Sequence, residues 1–507
     1  MKKILNNKVI FVVVLFCFVF LRFLKVPELF YFGIDEEYQS LLALSIIKDF
    51  HVIWIGLSAA NTGFYIGPGL VYLHSFLLWL SKNDPIILAY TASLIGVITA
   101  IVLYFVVKNL FNQKTALLSS ILYALSSFVI VYDRRFWNST LVPLTTILFY
   151  YALVKFKKNS RWIIFIAFLL GLSFHIHASL FIFIPIVLIA IFRNIVKHPP
   201  SLRSGHLPNQ GFGVQNPVPS RLAGTGTWVM KKIKVGKLYL LISAAVFLIV
   251  YSPLIVFDLV HNFDNLKTPL RMLKGLGKSG GGSMIVDNII TLKTTLSRFW
   301  LNFNQPELLS IVLFIVSITL LILFILKRKN YQERILSVIL GFYCLMFVFY
   351  PGKVLDYYYL GFLPFFAIVC GRFFEKINNY FLLVFIGIFA VANSVVVLNR
   401  PIDEGLAVKK ELVVKTMSVV NNRSFSLDTN QKYLYFGGWR YLFEVYGKKP
   451  DQSQADEMFG WIYPKEISQE KPELRVIIAD AEISIKEKLI TVIKSGIYRA
   501  YVFENNQ

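Results

Sequence analysis

The sequence predicts an all-α polytopic membrane protein that carries a small C-terminal outer domain. The chain has 507 residues, of which 56% are hydrophobic and only 16% are charged, whereas soluble domains are about 25% charged. Apolar stretches of about 20 residues recur along the chain, and this is the length that crosses a bilayer as a helix. From residue 400 onward the composition becomes that of a soluble domain. We therefore expect a transmembrane part over 1–399 and a soluble part over 400–507.

About eleven apolar segments predict the membrane-spanning helices. The first follows three lysines, but no small-residue cleavage site comes after it, so we expect an uncleaved helix and not a signal peptide. The predicted spans are 9–24, 85–107, 115–132, 141–156, 161–175, 178–192, 238–257, 306–326, 335–350, 357–371 and 380–398.

The orientation follows from the lysine and arginine residues, which collect in alternate loops. Because such loops stay in the cytoplasm, basic clusters at 108–114, 155–161, 231–237 and 327–334 predict a cytoplasmic N-terminus. The first long loop and the C-terminal domain then lie outside the cytoplasmic membrane. The net charge of +23 has the same origin, since no nucleic-acid-binding module is visible.

Several segments outside the spans also have recognisable patterns. The first outer loop, 25–84, contains apolar runs that are too short to cross, so we expect them to lie along the membrane surface. The inner stretch 197–227 is rich in Pro, Gly and Ser and predicts a mobile loop, and "KGLGKSGGGS" (274–283) predicts a flexible outer loop. In the soluble part, "KYLYFGG", "LRVIIAD" and "YRAYVFE" predict strands and "IKEKLITVIKS" predicts a helix. This mixture indicates a small α/β or α+β domain.

Three consecutive carboxylates, Asp35, Glu36 and Glu37, stand just after the first span. Adjacent carboxylates at a low-dielectric boundary repel one another, so one of them should have a raised pKa and can act as a general base. The same groups could bind a divalent cation through their oxygens, or merely favour a helix N-terminus. Their outward position, one short step from the span, favours a function.

Basic residues at the outer face are the second group of candidates. Arg134 and Arg135, in "VYDRRFWNSTLVP", run against the inside-positive bias. Arginine suits bidentate phosphate binding, although long side chains also reach toward lipid headgroups from such positions. Lys353, in "FYPGKVLDYYYLGFLP", is another candidate phosphate contact, and we interpret its tyrosines as an aromatic belt.

A pair of histidines lies at an outer turn in "GLSFHIHASLFIFIP". His175 and His177 are two positions apart, so on a helix they would not share a face, and a helical metal pair is not predicted. One of them could contact a substrate. The absence of a Walker motif from the sequence argues against an ATP-driven pump.

Taken in order, these motifs resemble the GT-C superfamily of membrane glycosyltransferases. The likeness is to bacterial members of the dolichyl-phosphate-mannose protein mannosyltransferase group and to the aminoarabinose transferases of lipid A. It covers about residues 1–400 and rests on "DEEY" at 35–38, "YIGPGLVYLHSFLLWL" at 65–80, "RFWNSTLVPL" at 135–144, "GLSFHIH" at 171–177 and "YYLGFLP" at 358–364. Asp356 stands where the family often has a basic residue or His, and the C-terminal outer domain matches no module that we can name.

The resemblance implies transfer of a sugar from a polyprenyl phosphate to an acceptor hydroxyl at the outer face, with inversion. It implies Asp35 as the base and Glu36 as a group that orients the acceptor or a cation. The implied phosphate contacts are Arg134, Arg135 and Lys353, and the implied substrate contacts are Tyr38, Asn138, His177 and Tyr358. No cofactor is certain; a divalent cation would be held by Asp35 and Glu36.

Two other classes of function give different expectations. A flippase or transporter of lipid-linked glycans would carry charges through its spans, whereas here the charges gather at the outer ends. A non-catalytic scaffold gives no reason for Asp35 and Arg135 to share one side. The sugar and the acceptor, whether lipid, glycan or protein, stay open.

Overall fold

The structure is a computed structural model that describes residues 8–58, 62–195, 236–275, 281–431, 434–484 and 488–505. The stretch 197–227, predicted to be mobile, lies outside the described residues. Up to residue 399 the described chain is almost wholly helical. Its helices are α1 (Lys8–Phe23), α2 (Val26–Leu29), α3 (Ile34–Asp49), α4 (Gly69–Leu80), α5 (Ile86–Leu110), α6 (Gln113–Leu125), α7 (Ser127–Tyr132), α8 (Val142–Phe156), α9 (Trp162–Ile176), α10 (Phe183–Ile195), α11 (Lys237–Val260), α12 (Asp264–Gly275), α13 (Gly281–Trp300), α14 (Glu307–Lys327), α15 (Tyr331–Val348), α16 (Leu363–Phe374) and α17 (Asn379–Leu398).

Helices occupy each of the predicted spans, but not all are continuous. Five of those described, α5, α11, α14, α15 and α17, are long and apolar enough to cross a membrane alone. The predicted span 115–132 breaks into α6 and α7 at Ser126, where the Asn393 side chain accepts hydrogen bonds from the backbone and hydroxyl of Ser127. The number of spans therefore stays a prediction.

The first outer loop contains two of the helices that position the site. The short apolar runs expected there form α3 and α4. Helices α12 and α13 were not predicted, because the segment 264–300 mixes polar with apolar residues and lacks an apolar run of spanning length. The predicted flexible loop 274–283 overlaps the end of α12 and the beginning of α13, and its residues 276–280 lie outside the description.

The C-terminal domain consists of a mixed sheet flanked by helices. Its elements are α18 (Leu406–Val420), β1 (Phe425–Thr429), α19 (Trp439–Tyr446), β2 (Gln452–Ser453), α20 (Asp456–Phe459), β3 (Leu474–Ala479), β4 (Leu489–Ser495) and β5 (Tyr498–Glu504). The strand order is β2-β1-β3-β5-β4, with β1 parallel to β2 and β3, and β5 antiparallel to β3 and β4.

Two of the three strand predictions in this domain are confirmed, as β3 and β5. The strand predicted for "KYLYFGG" is wrong, because residues 434–436 form a 3₁₀ turn and Gly438 takes a left-handed φ of 77° before α19 begins. The helix predicted for "IKEKLITVIKS" is also wrong. Its β-branched second half forms β4 and pairs with β5, so sheet pairing overrode the apparent helical period.

The C-terminal domain shares its hydrophobic core with the first outer loop. Buried Phe30 and Phe32 of that loop belong to the same cluster as Leu406 and Tyr441. The backbone N–H of Leu406 donates to the Phe30 carbonyl at 2.9 Å, and the rings of Phe32 and Tyr441 lie 5.4 Å apart. These contacts hold the chain immediately before α3, so the domain helps to position the acidic cluster.

Candidate active site

The three consecutive carboxylates lie in the first turn of α3. Gly33 precedes the helix, and its N–H donates to Glu36 Oε2 at 3.2 Å. A side chain at position 33 would meet the Tyr31 ring at 2.8 Å, so that ring would have to shift. Negative charge is favoured at this end of a helix. The helix-terminus explanation is thus correct for the backbone, but the three side chains have different surroundings.

Glu36 forms a buried ion pair with Arg135. The Arg135 Nε and Nη2 groups donate to the two carboxylate oxygens at 2.9 and 3.0 Å, a bidentate arrangement. Glu36 is fully buried, whereas 24% of the Arg135 side chain is exposed. The guanidinium also lies 4.3 Å from the Trp137 ring centre. Glu36 therefore holds the loop between α7 and α8 against α3.

Glu37 and Tyr38 face the C-terminal domain. Glu37 accepts a hydrogen bond from the Tyr441 N–H at 3.1 Å, and burial raises the pKa of its carboxyl to about 7. The Tyr38 ring lies 5.4 Å from Phe459 and 6.3 Å from Trp461. Both residues therefore join α3 to the domain, and Tyr38, expected to contact substrate, is mostly covered.

Asp35 is the carboxylate of the cluster that has no hydrogen-bond or ion-pair partner within the described chain. Burial and the neighbouring Glu36 raise its pKa to about 6, although Arg135 acts in the opposite direction. Its charge interacts with Tyr357 and Tyr358, which places all three side chains at one site. A free carboxylate with this pKa has the properties of a general base near neutral pH.

Aromatic side chains form a wall beside Asp35. The Trp137 and Tyr357 ring centres are 4.5 Å apart, and those of Tyr357 and Tyr358 are 4.7 Å apart. His177 packs against Tyr358 at 5.5 Å. Tyr358 and His177 thus lie together, whereas sequence alone favoured a lipid-facing belt for the tyrosines.

His177 is held as a neutral hydrogen-bond donor. Its Nδ1 accepts from the Ser179 N–H at 3.1 Å, and burial lowers the pKa of the ring to about 4. The proton of the neutral ring is therefore on Nε2, which has no partner in the described chain. His175 instead connects two segments, since its ring nitrogens contact the Gly69 N–H and the Val250 carbonyl.

The two neighbouring arginines point to different places. Arg134 is 2% exposed, and its Nη2 donates to the carbonyls of Leu21 and Leu24 at 2.5 and 3.2 Å. Nη2 therefore caps the end of α1, whereas Nε and Nη1 are buried and have no hydrogen-bond partner in the described residues. The role of Arg134 as a phosphate contact stays a prediction.

Two further cationic side chains belong to or contact the segment 351–359, which contains Tyr357 and Tyr358 and is called the tyrosine loop. Lys353 is exposed and has no partner in the described residues. Arg298, on α13, lies 3.7 Å from Asp356 Oδ2, and Tyr132 donates to the other oxygen of that carboxylate at 2.7 Å. Arg298 was not a sequence candidate because α13 itself was not predicted.

Two other residues near the cluster were missed. Gln39 donates from Nε2 to Asn138 Oδ1 at 2.8 Å, and its spacing from Asp35 would have placed it on the same face once α3 was recognised. Lys409 of α18 is fully buried and donates to the carbonyls of Phe32 and Gly437, both at 2.8 Å. No pattern around Lys409 in the sequence signals this burial.

The described residues contain no group of three His, Cys, Asp or Glu side chains that could hold a metal ion. Within the acidic cluster both Glu36 oxygens are bound to Arg135. Asp35 and Glu36 therefore do not form the pair of free carboxylates that the cation hypothesis needs.

Comparison with known proteins gives one partial match to a family model. The family model described as dolichyl-phosphate-mannose-protein mannosyltransferase matches residues 67–206, less than half of the chain. No curated protein sequence matches.

Solved structures then give the fold. The crystal structure of ArnT from Cupriavidus metallidurans bound to undecaprenyl phosphate superposes with a TM-score of 0.63 and 10% identity, covering 99% of this chain and 100% of that chain. The apo state of the same protein superposes with a TM-score of 0.62 and 9% sequence identity, covering 98% of this chain and 99% of that chain. An Archaeoglobus fulgidus oligosaccharyltransferase superposes with a TM-score of 0.47 and 11% sequence identity, covering 92% of this chain and 67% of that chain. The chain thus has the fold of ArnT, and its resemblance to GT-C membrane glycosyltransferases is confirmed.

Proposed function

We propose that this protein is a glycosyltransferase that moves a sugar from a polyprenyl phosphate to an acceptor hydroxyl at the outer face of the membrane. The observation that carries the proposal is Asp35, a partly buried carboxylate without a partner, set between the Glu36–Arg135 ion pair and the Tyr357–Tyr358 wall. The fold supports the same class, because ArnT with this fold binds undecaprenyl phosphate.

Asp35 acts as the general base. It removes the proton of the acceptor hydroxyl while the hydroxyl oxygen bonds to C1 of the sugar, and the bond between C1 and the phosphate oxygen breaks. The polyprenyl phosphate leaves with the electron pair of that bond. Attack from the side opposite the phosphate inverts the anomeric centre. With a pKa of about 6, Asp35 is mostly ionised at neutral pH and is more basic than an exposed aspartate.

Fixed cations stabilise the charge that develops on the leaving phosphate. Arg135 keeps its Nη1 group for this role, since only Nε and Nη2 are bound to Glu36. Arg298 and Lys353, by the tyrosine loop, are the other candidates. Arg134 stays a further candidate, since its Nη2 caps α1 while its Nε and Nη1 have no hydrogen-bond partner in the described residues.

Neutral hydrogen-bonding groups then orient the substrates. The Nε2–H of His177 and the hydroxyl of Tyr358 line the same wall and suit sugar hydroxyls or the acceptor. Asn138 follows Arg135 on the loop that Glu36 holds. We propose that these groups contact the sugar or the acceptor beside Asp35.

The test compares cells with and without the intact gene. Envelope lipids, glycans and proteins are analysed by mass spectrometry, and we expect one sugar residue to be missing from one acceptor class. Wild-type protein should restore it and Asp35→Asn should not. Unchanged glycans, together with donor movement across vesicles that contain the purified protein, would instead establish a flippase.

A further inference from the structure

Two parallel contacts connect α3 with the loop between α7 and α8. The first is the Glu36–Arg135 ion pair, and the second is the hydrogen bond from Gln39 to Asn138 at 2.8 Å. Glu36 and Gln39 are three positions apart on α3, and Arg135 and Asn138 are three positions apart on the loop. The second contact therefore continues the first and fixes the loop at two points, next to Asp35.

Gln39 is placed to serve the site and not merely to fill space. It is 1% exposed, and it lies four positions after Asp35, so the two side chains share one face with Cβ atoms roughly 6 Å apart. Its Oε1 has no hydrogen-bond partner in the described chain. A buried amide left half unsatisfied is costly and needs an explanation, and the contact that it does make is with Asn138.

Asn138 has one half of its amide fixed and the other half free. Oδ1 accepts from Gln39, so Nδ2 is turned the other way, and it has no partner in the part of the chain that the structure describes. The residue is partly exposed, unlike its neighbours Trp137 and Ser139. An oriented N–H donor near a free carboxylate and an arginine suits a phosphate or hydroxyl oxygen.

We propose that Gln39 is a positioning residue that orients the Asn138 amide, so that Nδ2 donates to an oxygen of the lipid-linked donor substrate. This inference rests on the proposed function and adds a specific substrate contact to it. The oxygen belongs either to the phosphate or to the sugar, and both present the same acceptor chemistry.

A double-mutant cycle tests the coupling. Gln39→Met keeps the length of the side chain without its hydrogen bond, and Asn138→Ala removes the donor. We expect each to lower kcat/KM for transfer by about tenfold to a hundredfold. The double variant should be no slower than Asn138→Ala alone, because Gln39 acts through Asn138. Ser40→Ala, which removes a buried hydroxyl of α3 without a partner, is the matched control and should stay near wild type.

Binding of bare polyprenyl phosphate to the detergent-solubilised protein identifies the oxygen. If Asn138→Ala weakens this binding, Asn138 contacts the phosphate; if binding is unchanged while transfer falls, it contacts the sugar. If the fold-losses in kcat/KM of the two single variants multiply in the double variant, Gln39 acts independently of Asn138. This result would overturn the inference while leaving the proposed function intact. A wild-type protein that transfers no sugar would overturn both.

Discussion

Asp35, Glu36 and Glu37 have the same chemistry but different roles, because successive side chains leave a helix in different directions. Glu36 meets Arg135, Glu37 meets the Tyr441 N–H, and Asp35 meets neither. The sequence predicted that one carboxylate would have a raised pKa, but burial raises that of both Asp35 and Glu37. Which of them is free depends on long-range packing, which the local sequence does not contain.

The same reasoning separates Arg134 from Arg135. Both stand in one loop and both suit phosphate, so the sequence could not distinguish them. In the structure the carbonyls at the end of α1 bind Arg134, whereas Arg135 binds Glu36. Position within the turn therefore decides which guanidinium pairs with the acidic cluster.

Arg135→Ala should lower transfer by roughly a hundredfold, because one donor to the developing phosphate charge is lost. The substitution also leaves Glu36 buried without its partner, which can destabilise the fold by about 3–5 kcal/mol. The measurement is therefore made in a Glu36→Gln background, with thermal midpoints compared in detergent. Near-normal transfer by Arg135→Ala in that background would show that Arg135 serves only to hold the loop.

The rate of transfer should follow the ionisation of Asp35. Since only the carboxylate form is a base, kcat/KM should be level above pH 7 and fall about tenfold per unit below pH 6. Glu36→Gln should move this fall to lower pH. The substitution removes the negative charge that raises the pKa of Asp35, and it leaves the Arg135 charge free to lower that pKa. A profile that stays level down to pH 4.5 would contradict the raised pKa.

At the scale of elements, the sequence predicts what depends on apolar run length and misses what depends on partners. The long apolar helices such as α5 and α14 were predicted because their hydropathy alone defines them. β4 was taken for a helix, since its pairing with β5 is a tertiary contact. α13 was missed because its mixed composition resembles that of a loop, and Arg298 was missed with it.

Substitution of Lys409 tests how α18 supports α3. Its ammonium group bonds two carbonyls, one of them that of Phe32 just before α3, and lies 4.5 Å from the Tyr31 ring centre. Lys409→Met leaves both buried carbonyls without a donor, so we expect a loss of about 2–4 kcal/mol of stability. The thermal midpoint should fall clearly below that of Lys410→Met, an exposed control that loses a surface pair with Asp84 and a contact with the Tyr446 ring. Equal midpoints would show that Lys409 is dispensable.

For the whole molecule, the composition change at residue 400 marks a soluble segment but not an independent core. The C-terminal domain shares buried residues with the first outer loop, and Glu37 accepts a backbone hydrogen bond from α19. A sequence divided by hydropathy cannot show this, because both partners of the shared core are ordinary apolar residues. The domain is a structural part of the site even though its sequence matched no family module.

The topology that the lysines and arginines predict can be measured directly. In a background with the three cysteines replaced, Gln469→Cys should react with an impermeant reagent in intact cells. Asn159→Cys, in an exposed turn of the transmembrane part, should react only after permeabilisation. The opposite pattern would place Asp35 in the cytoplasm and exclude an outer-face reaction.

The base assignment is tested most directly by transfer of a radiolabelled sugar from polyprenyl phosphate, with purified variants of matched thermal stability. Asp35→Asn keeps the shape but not the basicity, so transfer should fall by roughly 10²–10⁴-fold. Asp35→Glu should retain little activity because the added methylene displaces the carboxylate, whereas Glu37→Gln, at the domain contact, should retain most of it. Full activity in Asp35→Asn would contradict the account, and loss confined to Glu37→Gln would assign the base to the other carboxylate.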